Sequence, residues 1–313
     1  MKKYIAILLA AAMATLGISA CRKENSNKET KVQKDSDIKV VTTIFPEYDW
    51  VRQIAGEEAD QMDITMLLDN GVDLHSYQPT AEDIMKVSDC DLFVYVGGES
   101  DAWVDDALKQ AKNKDMQVVD LLDVLGNSAK EEEEPEYDEH VWLSVKNAEV
   151  LSKAIADALE KADPDHKDIY QENASAYSEK LKDLDAKYQE VVDGASQKTL
   201  LFGDRFPFRY LVDDYGLSYY AAFVGCSAES EASFDTISFL ANKVDELGLK
   251  DIMAIENSNQ KIAKTIIENT KEKNQKILTL DTMQSTTSDD VKNGTTYLSV
   301  MEKNLEVLKE ALQ

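Results

Sequence analysis

The chain contains three histidines, and the positions of two of them suggest a metal site. His75 lies in a turn-rich stretch that leads into a helix, and His140 lies between an acidic stretch and another helix. Imidazole is the commonest metal ligand, and the loops of an α/β sheet bring distant side chains together. Either histidine alone is better explained as a hydrogen-bonded loop residue, so the prediction depends on the pair. We expect His166, among charged residues near a helix start, to be solvated.

The elements that must position these side chains alternate between two patterns. Runs rich in β-branched and apolar residues predict strands, and helical periodicity follows most of them. The predicted strands lie at 38–44, 64–68, 92–96 and 118–119, then at 199–202, 252–255 and 277–280. This alternation predicts an α/β fold of two α/β lobes.

A long helical segment lies between the two series of strands. Residues 147–193 contain no glycine and a single proline, Pro164, and their apolar residues recur at helical spacing. We therefore predict an N-terminal lobe at 38–163, a connecting helix at 164–194 and a C-terminal lobe at 195–313. A helix of about thirty residues spans about 45 Å, the scale of a domain.

The first residues have the features of a targeting sequence. Residues 1–20 combine two lysines with an apolar run, which predicts a signal peptide, and they end beside Cys21 in a sequence that resembles the bacterial lipobox. The resemblance implies a lipid on Cys21 and an extracytoplasmic location at the cell membrane. An ordinary signal peptide is the alternative. Residues 21–37 contain few apolar side chains, so we predict a disordered tether.

Charge and cysteine content exclude other classes. With 34 basic and 60 acidic residues the formal charge is −26, which excludes nucleic acid as a partner. Three cysteines are too few for a disulfide scaffold, and Cys90, at the start of a predicted strand, is expected to be buried and unreactive.

Two segments resemble the metal-ligand motifs of the zinc and manganese solute-binding lipoproteins of bacterial ABC importers. They read Asp73-x-His75-x-Tyr77-x-Pro79-Thr80-x-x-Asp83 and His140-x-Trp142-Leu143-Ser144-x-x-Asn147-Ala148. Tyr215-Gly216-Leu217 and the last helix at 297–312 also match, so the resemblance runs from about residue 38 to the C-terminus. It implies two α/β lobes joined by a long helix, with the ion in the cleft between them.

The resemblance implies further ligands, and at one position the sequence departs from it. Arg205 lies near the place where family members usually carry a ligating His or Glu, and a guanidinium cannot bind a cation. Asp204 is the nearest candidate for this third ligand, with a helix cap as its alternative role. Arg205 would then pair with a ligating carboxylate.

The remaining ligand candidates follow the later strands. Asp281 follows the last strand, where the family places an Asp ligand, and capping or turn formation is its alternative. Glu256 is similarly placed but is a less direct match, and the thiol of Cys226 is a further candidate. Two imidazoles with two carboxylates suit zinc, with manganese as the alternative.

Seven acidic residues occupy the nine positions of 131–139, immediately before His140. By analogy with the mobile loop of zinc-binding family members, this run would collect cations for His140. A merely solvated loop is the alternative, because carboxylates without imidazole bind transition ions weakly and salt screens them.

We therefore expect a monomeric, lipid-anchored binding protein that captures Zn(II) and delivers it to an ABC permease. An enzyme is not expected, because the sequence lacks His-Glu-x-x-His, Gly-x-Ser-x-Gly and a phosphate-binding loop. A manganese-binding member of the same family, or a surface adhesin or structural lipoprotein, is the alternative.

Ligation by histidine predicts a pH-dependent affinity. Because a bound imidazole must be deprotonated, zinc affinity should fall as the pH decreases through the range in which histidine titrates. Metal titrations between about pH 7.5 and 5.5 test this expectation, and an unchanged affinity would count against histidine ligands.

Overall fold

The computed structural model describes residues 38–131, 137–223, 225 and 231–313. Cys21, the predicted signal peptide and tether, most of the acidic run and Cys226 lie outside these residues. The described chain contains eight strands. They are β1 (Lys39–Thr42), β2 (Asp63–Met66), β3 (Leu92–Tyr95), β4 (Gln117–Asp120), β5 (Thr199–Phe202), β6 (Ser218–Ala221), β7 (Asp251–Ile255) and β8 (Lys276–Leu280).

Eleven α-helices connect and cover these strands in the described part of the chain. They are α1 (Phe45–Ala55), α2 (Ala81–Asp89), α3 (Val104–Lys109), α4 (Leu121–Leu125), α5 (Val145–Ala162), α6 (Lys167–Gly194), α7 (Arg209–Asp214), α8 (Phe234–Leu247), α9 (Lys261–Asn269), α10 (Ser288–Lys292) and α11 (Tyr297–Ala311). None of these helices is long and apolar enough to cross a membrane.

The strands form two parallel sheets with the same topology. The first has the order β2-β1-β3-β4 and the second the order β6-β5-β7-β8. Each pairs its strands in parallel, with Val40 opposite Ile64 and Met253 opposite Leu278. In such sheets the loops after the strands meet at one edge, where ligands bind. The predicted α/β fold with two lobes is confirmed, and only β6 was missed, since its tyrosines are half-buried and form no apolar run.

The connecting helix α6 confirms the predicted link between the lobes. It has 28 residues, so it is about 42 Å long, and it buries one face. The buried residues of that face are Tyr170, Tyr177, Leu181, Leu184, Tyr188 and Val192. Pro164 begins a short 3-10 turn, and the α-helix starts three residues later than predicted.

Buried hydrogen bonds connect the last helix, α11, and the loop after β8 to the rest of the molecule. The hydroxyl of Tyr297 donates to the backbone carbonyl of Trp142 over 2.8 Å, and the indole N–H of Trp142 donates to the carbonyl of Thr282 over 2.8 Å. The hydroxyl of Tyr188 in α6 donates to the carbonyl of Met301 over 2.7 Å. All these groups are buried, so each bond also satisfies a polar atom that water cannot reach.

Two predictions about single residues can also be compared with the structure. Cys90 is fully buried and forms no disulfide, as expected. His166 is not simply solvated, because its Nδ1 lies 2.6 Å from the carboxylate of Asp163 and its Nε2 lies 3.5 Å from that of Glu58. That expectation was wrong, since periodicity alone could not show that the turn at Pro164 folds back onto Glu58.

Removing the Tyr297 hydroxyl should destabilise the protein. Tyr297→Phe leaves the buried carbonyl of Trp142 without this donor, which should lower the free energy of unfolding by about 1 to 3 kcal/mol. Urea unfolding followed by circular dichroism measures the change. The control Tyr137→Phe alters a side chain that is 48% exposed, and it should change stability little. Equal stability of the two variants would contradict the prediction.

Candidate metal site

His75 is held in a short turn after β2. The turn spans Leu74–Ser76, and the buried Leu74 anchors it in the core. The side chain of Asp73 caps the turn, with its Oδ1 accepting a hydrogen bond of 3.0 Å from the backbone N–H of His75. The imidazole remains 27% exposed, so it lies at the surface of the first lobe.

His140 is buried just before α5. Its side chain is 2% exposed, and the Oδ1 of Asp138 lies 2.9 Å from its backbone nitrogen and 2.7 Å from its Nδ1. The backbone carbonyl of Asp138 in turn accepts a hydrogen bond of 2.9 Å from the Tyr210 hydroxyl of the second lobe. The indole ring of Trp142 lies 5.3 Å from the imidazole, centroid to centroid. These contacts leave the imidazole of His140 few possible rotations.

The two imidazoles meet, as the sequence predicts. Their Nε2 atoms are 3.1 Å apart, and their ring centroids are 5.1 Å apart. His75 and His140 are 65 positions apart in sequence, and both belong to the first lobe. The pair is therefore formed within the first lobe, beside two residues of that lobe, Asp73 and Asp138, that contact the second lobe.

Carboxylates fix which nitrogen of each ring carries the proton. The Nδ1 of His140 faces Asp138, and the Nδ1 of His75 lies 3.3 Å from a carboxylate oxygen of Glu139 and 3.0 Å from the hydroxyl of Ser100. An ionised carboxylate only accepts hydrogen bonds, so we assign the protons to both Nδ1 atoms. The lone pairs of both Nε2 atoms then point at each other.

The separation of the two Nε2 atoms suits two ligands of one ion. Tetrahedral zinc with Zn–N bonds of about 2.0 to 2.1 Å places two ligand nitrogens about 3.3 Å apart. The observed 3.1 Å is within a few tenths of an ångström of that value. Two imidazole lone pairs this close repel each other, and a shared cation removes the repulsion.

The loop after β3 positions Glu139. The backbone N–H of Ser100 donates to its Oε1 over 2.8 Å. Gly98 adopts a φ of +79°, and a Cβ atom at this position would collide with the Glu139 carboxylate. Burial favours a higher pKa for Glu139, but the hydrogen bonds from His75 and Ser100 hold the pKa below its usual value. The group facing His75 is therefore a carboxylate.

Residues of the second lobe hold the turn that carries His75. Arg205 places its Nη1 3.2 Å from the Oδ2 of Asp73, and Gln284, with its amide oriented to satisfy its polar atoms, donates to Asp73 over 3.0 Å. Arg205 therefore pairs with the carboxylate that caps the turn. The expected partner of Arg205 was a ligating carboxylate, and Asp73 had no predicted role.

Asp204 lies two residues after the end of β5, at the carboxyl edge of the second sheet. Its Oδ1 accepts a hydrogen bond of 2.9 Å from the backbone N–H of Arg205. Its Oδ2 is buried and has no hydrogen-bond partner within the described residues. A buried carboxylate oxygen without a donor is costly unless a cation compensates for it.

Asp281 and Glu256 lie near each other after β8 and β7. The Oδ1 of Asp281 accepts from the backbone N–H of Met283 over 2.8 Å, and burial raises the pKa of Asp281 above its usual value. The carboxylate of Glu256 accepts from both the backbone N–H and the hydroxyl of Thr282. Burial, and then the charge of Asp281, raise the pKa of Glu256. Glu256 thus braces the loop that carries Asp281.

The described residues bring together the two histidines, but not the full predicted ligand set. No group of three or more His, Cys, Asp or Glu side chains within 38–131, 137–223, 225 and 231–313 is arranged to hold one ion. Asp204 and Asp281 both lie at the carboxyl ends of strands in the second lobe. Their assignment as ligands, like that of Glu256, remains a prediction.

The groups that orient the imidazoles were not predicted from the sequence. Asp138 and Glu139 belong to the acidic run, but both are buried against the histidines, so neither reading of the run describes them. Their role could have been predicted from the sequence, because each carboxylate lies within two positions of His140. The role of Ser100 could not, since the fold alone brings it to His75.

Comparison with known proteins shows clear similarity. Residues 40–311 match the family described as ZnuA, zinc-uptake complex component A periplasmic. The chain is 34% identical over 320 residues to the zinc-binding lipoprotein AdcA of Streptococcus pneumoniae, with 98% of this chain covered. It spans only 61% of the length of that relative.

Two further matches cover most of both proteins. The high-affinity zinc uptake system protein ZnuA of Bacillus subtilis is 30% identical, with 99% of this chain and 98% of that protein covered. The crystal structure of the Zn(II)-bound ZnuA-like domain of Streptococcus pneumoniae AdcA superposes with a TM-score of 0.73 at 33% identity. The match covers 88% of this chain and 99% of that domain.

Removing the proton acceptor of His140 should weaken metal binding. In Asp138→Asn the amide can also present its NH₂ group to Nδ1, so the ring is no longer held in one tautomer. Zinc affinity should fall about 10- to 100-fold, as for other groups that orient a ligating histidine. Competition with a chromophoric chelator measures the affinity. Asp168→Asn, on the exposed face of α6, is the control, and equal affinities in both variants would refute the role of Asp138.

Proposed function

The chain belongs to the ZnuA family of zinc-uptake proteins, and on this basis we propose that it captures Zn(II) outside the cytoplasm and delivers it to an ABC permease. One observation carries the proposal: the Nε2 atoms of His75 and His140 face each other at 3.1 Å while carboxylates occupy both Nδ1 positions. This arrangement presents two lone pairs to one cation and requires no catalytic base.

We assign His75 and His140 as metal ligands from the first lobe, with Asp204 and Asp281 as the carboxylate ligands of the second. The unpartnered buried oxygen of Asp204 supports its assignment. The raised pKa of Asp281 also fits, because a bound cation would favour the ionised form that burial disfavours. Glu256 is the weaker candidate, since Thr282 already donates twice to its carboxylate.

Two imidazoles and two carboxylates complete a tetrahedral set that suits zinc. Manganese favours more oxygen ligands in an octahedral arrangement, so the histidine pair supports zinc as the principal cargo. The zinc-binding names of the relatives AdcA and ZnuA agree with this choice. We propose Mn(II) as the weaker ligand.

The location of the protein follows from the same proposal. A lipid on Cys21 would anchor the chain to the outer face of the cell membrane, with residues 21–37 as the tether. The partner is the membrane permease, and the capture step needs a single copy of the chain, because all four proposed ligands belong to one chain. The formal charge of −26 raises the local concentration of cations near the molecule.

Replacing the histidines tests the proposed site. His75→Ala and His140→Ala should each lower zinc affinity at least about 100-fold, since each removes one of four ligands. Elemental analysis gives the metal content of the purified proteins, and chelator competition gives the affinity. The matched control is His166→Ala, whose imidazole lies between Asp163 and Glu58, and it should bind zinc like the wild type.

The same variants separate transport from other roles. In cells limited for zinc, the two site variants should fail to restore growth, while the His166 variant should restore it. The proposal is wrong if His75→Ala and His140→Ala bind zinc as tightly as the control.

A further inference from the structure

One buried face of helix α11 contacts two segments of the candidate metal site, the one that carries Asp281 and the one that carries His140. Tyr297, Met301, Asn304 and Leu308 lie at helical spacing, and all four are buried. Three of them are apolar or aromatic, as expected of a core face. Asn304 is the exception, because a buried amide stabilises a fold only when its polar atoms have partners.

Asn304 finds these partners on the backbone of Asp281. Its Oδ1 accepts a hydrogen bond of 2.8 Å from the Asp281 N–H, and its Nδ2 donates over 2.8 Å to the Asp281 carbonyl. The side chain is 2% exposed, so water cannot replace either bond. The amide thus acts on Asp281 as a neighbouring strand would, at the point where β8 ends.

The same helix reaches the segment that carries His140. Two turns before Asn304, the hydroxyl of Tyr297 donates to the carbonyl of Trp142, which lies two positions after His140. Between these two contacts, the carbonyl of Met301 accepts from Tyr188 of the connecting helix. One rigid helix therefore holds both the Asp281 segment and the His140 segment.

We propose that Asn304 is a positioning residue of the metal site, which fixes the backbone of Asp281 at a set distance from His140. The proposal rests on the proposed function, with Asp281 as a ligand. Without the amide, the N–H and the carbonyl of Asp281 lose their buried partners and the segment must shift to find others. A shift of less than 1 Å is enough to spoil ligand geometry.

A double-mutant cycle distinguishes positioning from a general structural role. We expect Asn304→Leu to weaken zinc binding about 10-fold or more in the wild-type background, as for other groups that orient a ligand. In the Asp281→Ala background the same substitution should change zinc affinity less than about twofold, because the ligand that it positions is gone. Chelator competition measures all four affinities.

Cobalt gives a second readout that a merely structural role would leave unchanged. Co(II) absorbs in the visible region with an intensity and wavelength that depend on its ligands and geometry. The Co(II) spectrum of Asn304→Leu should move towards that of Asp281→Ala. The matched control is Asn173→Leu, which removes another amide-to-carbonyl bond, of 2.9 Å to Ile54, and should retain the wild-type spectrum and affinity.

Several outcomes would overturn the proposal. An equal loss of affinity in both backgrounds, or none in either, would show that Asn304 does not act through Asp281. Wild-type zinc affinity in Asp281→Ala would also overturn the proposal, because Asp281 would then not be a ligand, but it would not contradict the assignment of the two histidines. If Asn304→Leu does not fold, Asn304→Ser replaces it and must show the same dependence on Asp281. The proposed function itself fails separately, only if the two histidine variants bind zinc normally.

Discussion

The candidate site depends on one constraint: two imidazoles hold their Nε2 atoms 3.1 Å apart, and with the protons assigned to both Nδ1 atoms the two lone pairs face each other. Carboxylates orient both rings through their Nδ1 atoms: Asp138 contacts His140, and Glu139 contacts His75. Such an arrangement is unfavourable without a positive charge between the rings, because like dipoles repel at short range. In this protonation state a cation between the rings would relieve the repulsion.

Two further acidic side chains, Asp101 and Glu47, are buried and have raised pKa values, which favours the protonated form of each. Burial, and then the neighbouring charge of Glu139, raise the pKa of Asp101 to about 7, against the opposing hydrogen bond from Gly97. Glu47 is also fully buried, and its pKa is raised by burial and by the charge of Asp101. A metal ion at the histidine pair would be attracted by each of these groups that is ionised. The overall charge of the chain acts in the same direction over longer distances.

The second lobe contacts the two histidine segments at a few specific points. Arg205 and Gln284 both bind Asp73, which caps the turn of His75, and Thr282 accepts from the indole of Trp142 beside His140. A movement of the second lobe would therefore disturb both histidine segments at once. The long helix α6 limits such movement, because it buries tyrosines along its length and supports α11.

Periodicity and turn residues are local properties, and they were enough to predict the α/β fold, most of the strands and the connecting helix. The resemblance to a family's two metal-ligand motifs predicted that His75 and His140 bind one ion, and the chemistry of the guanidinium excluded Arg205 as a ligand. The groups that orient the rings, and the partner of Arg205, are visible only in the folded chain. Ser100, Asp73 and Asn304 acquire their roles from contacts between segments far apart in the chain, and no local pattern records a contact of that kind.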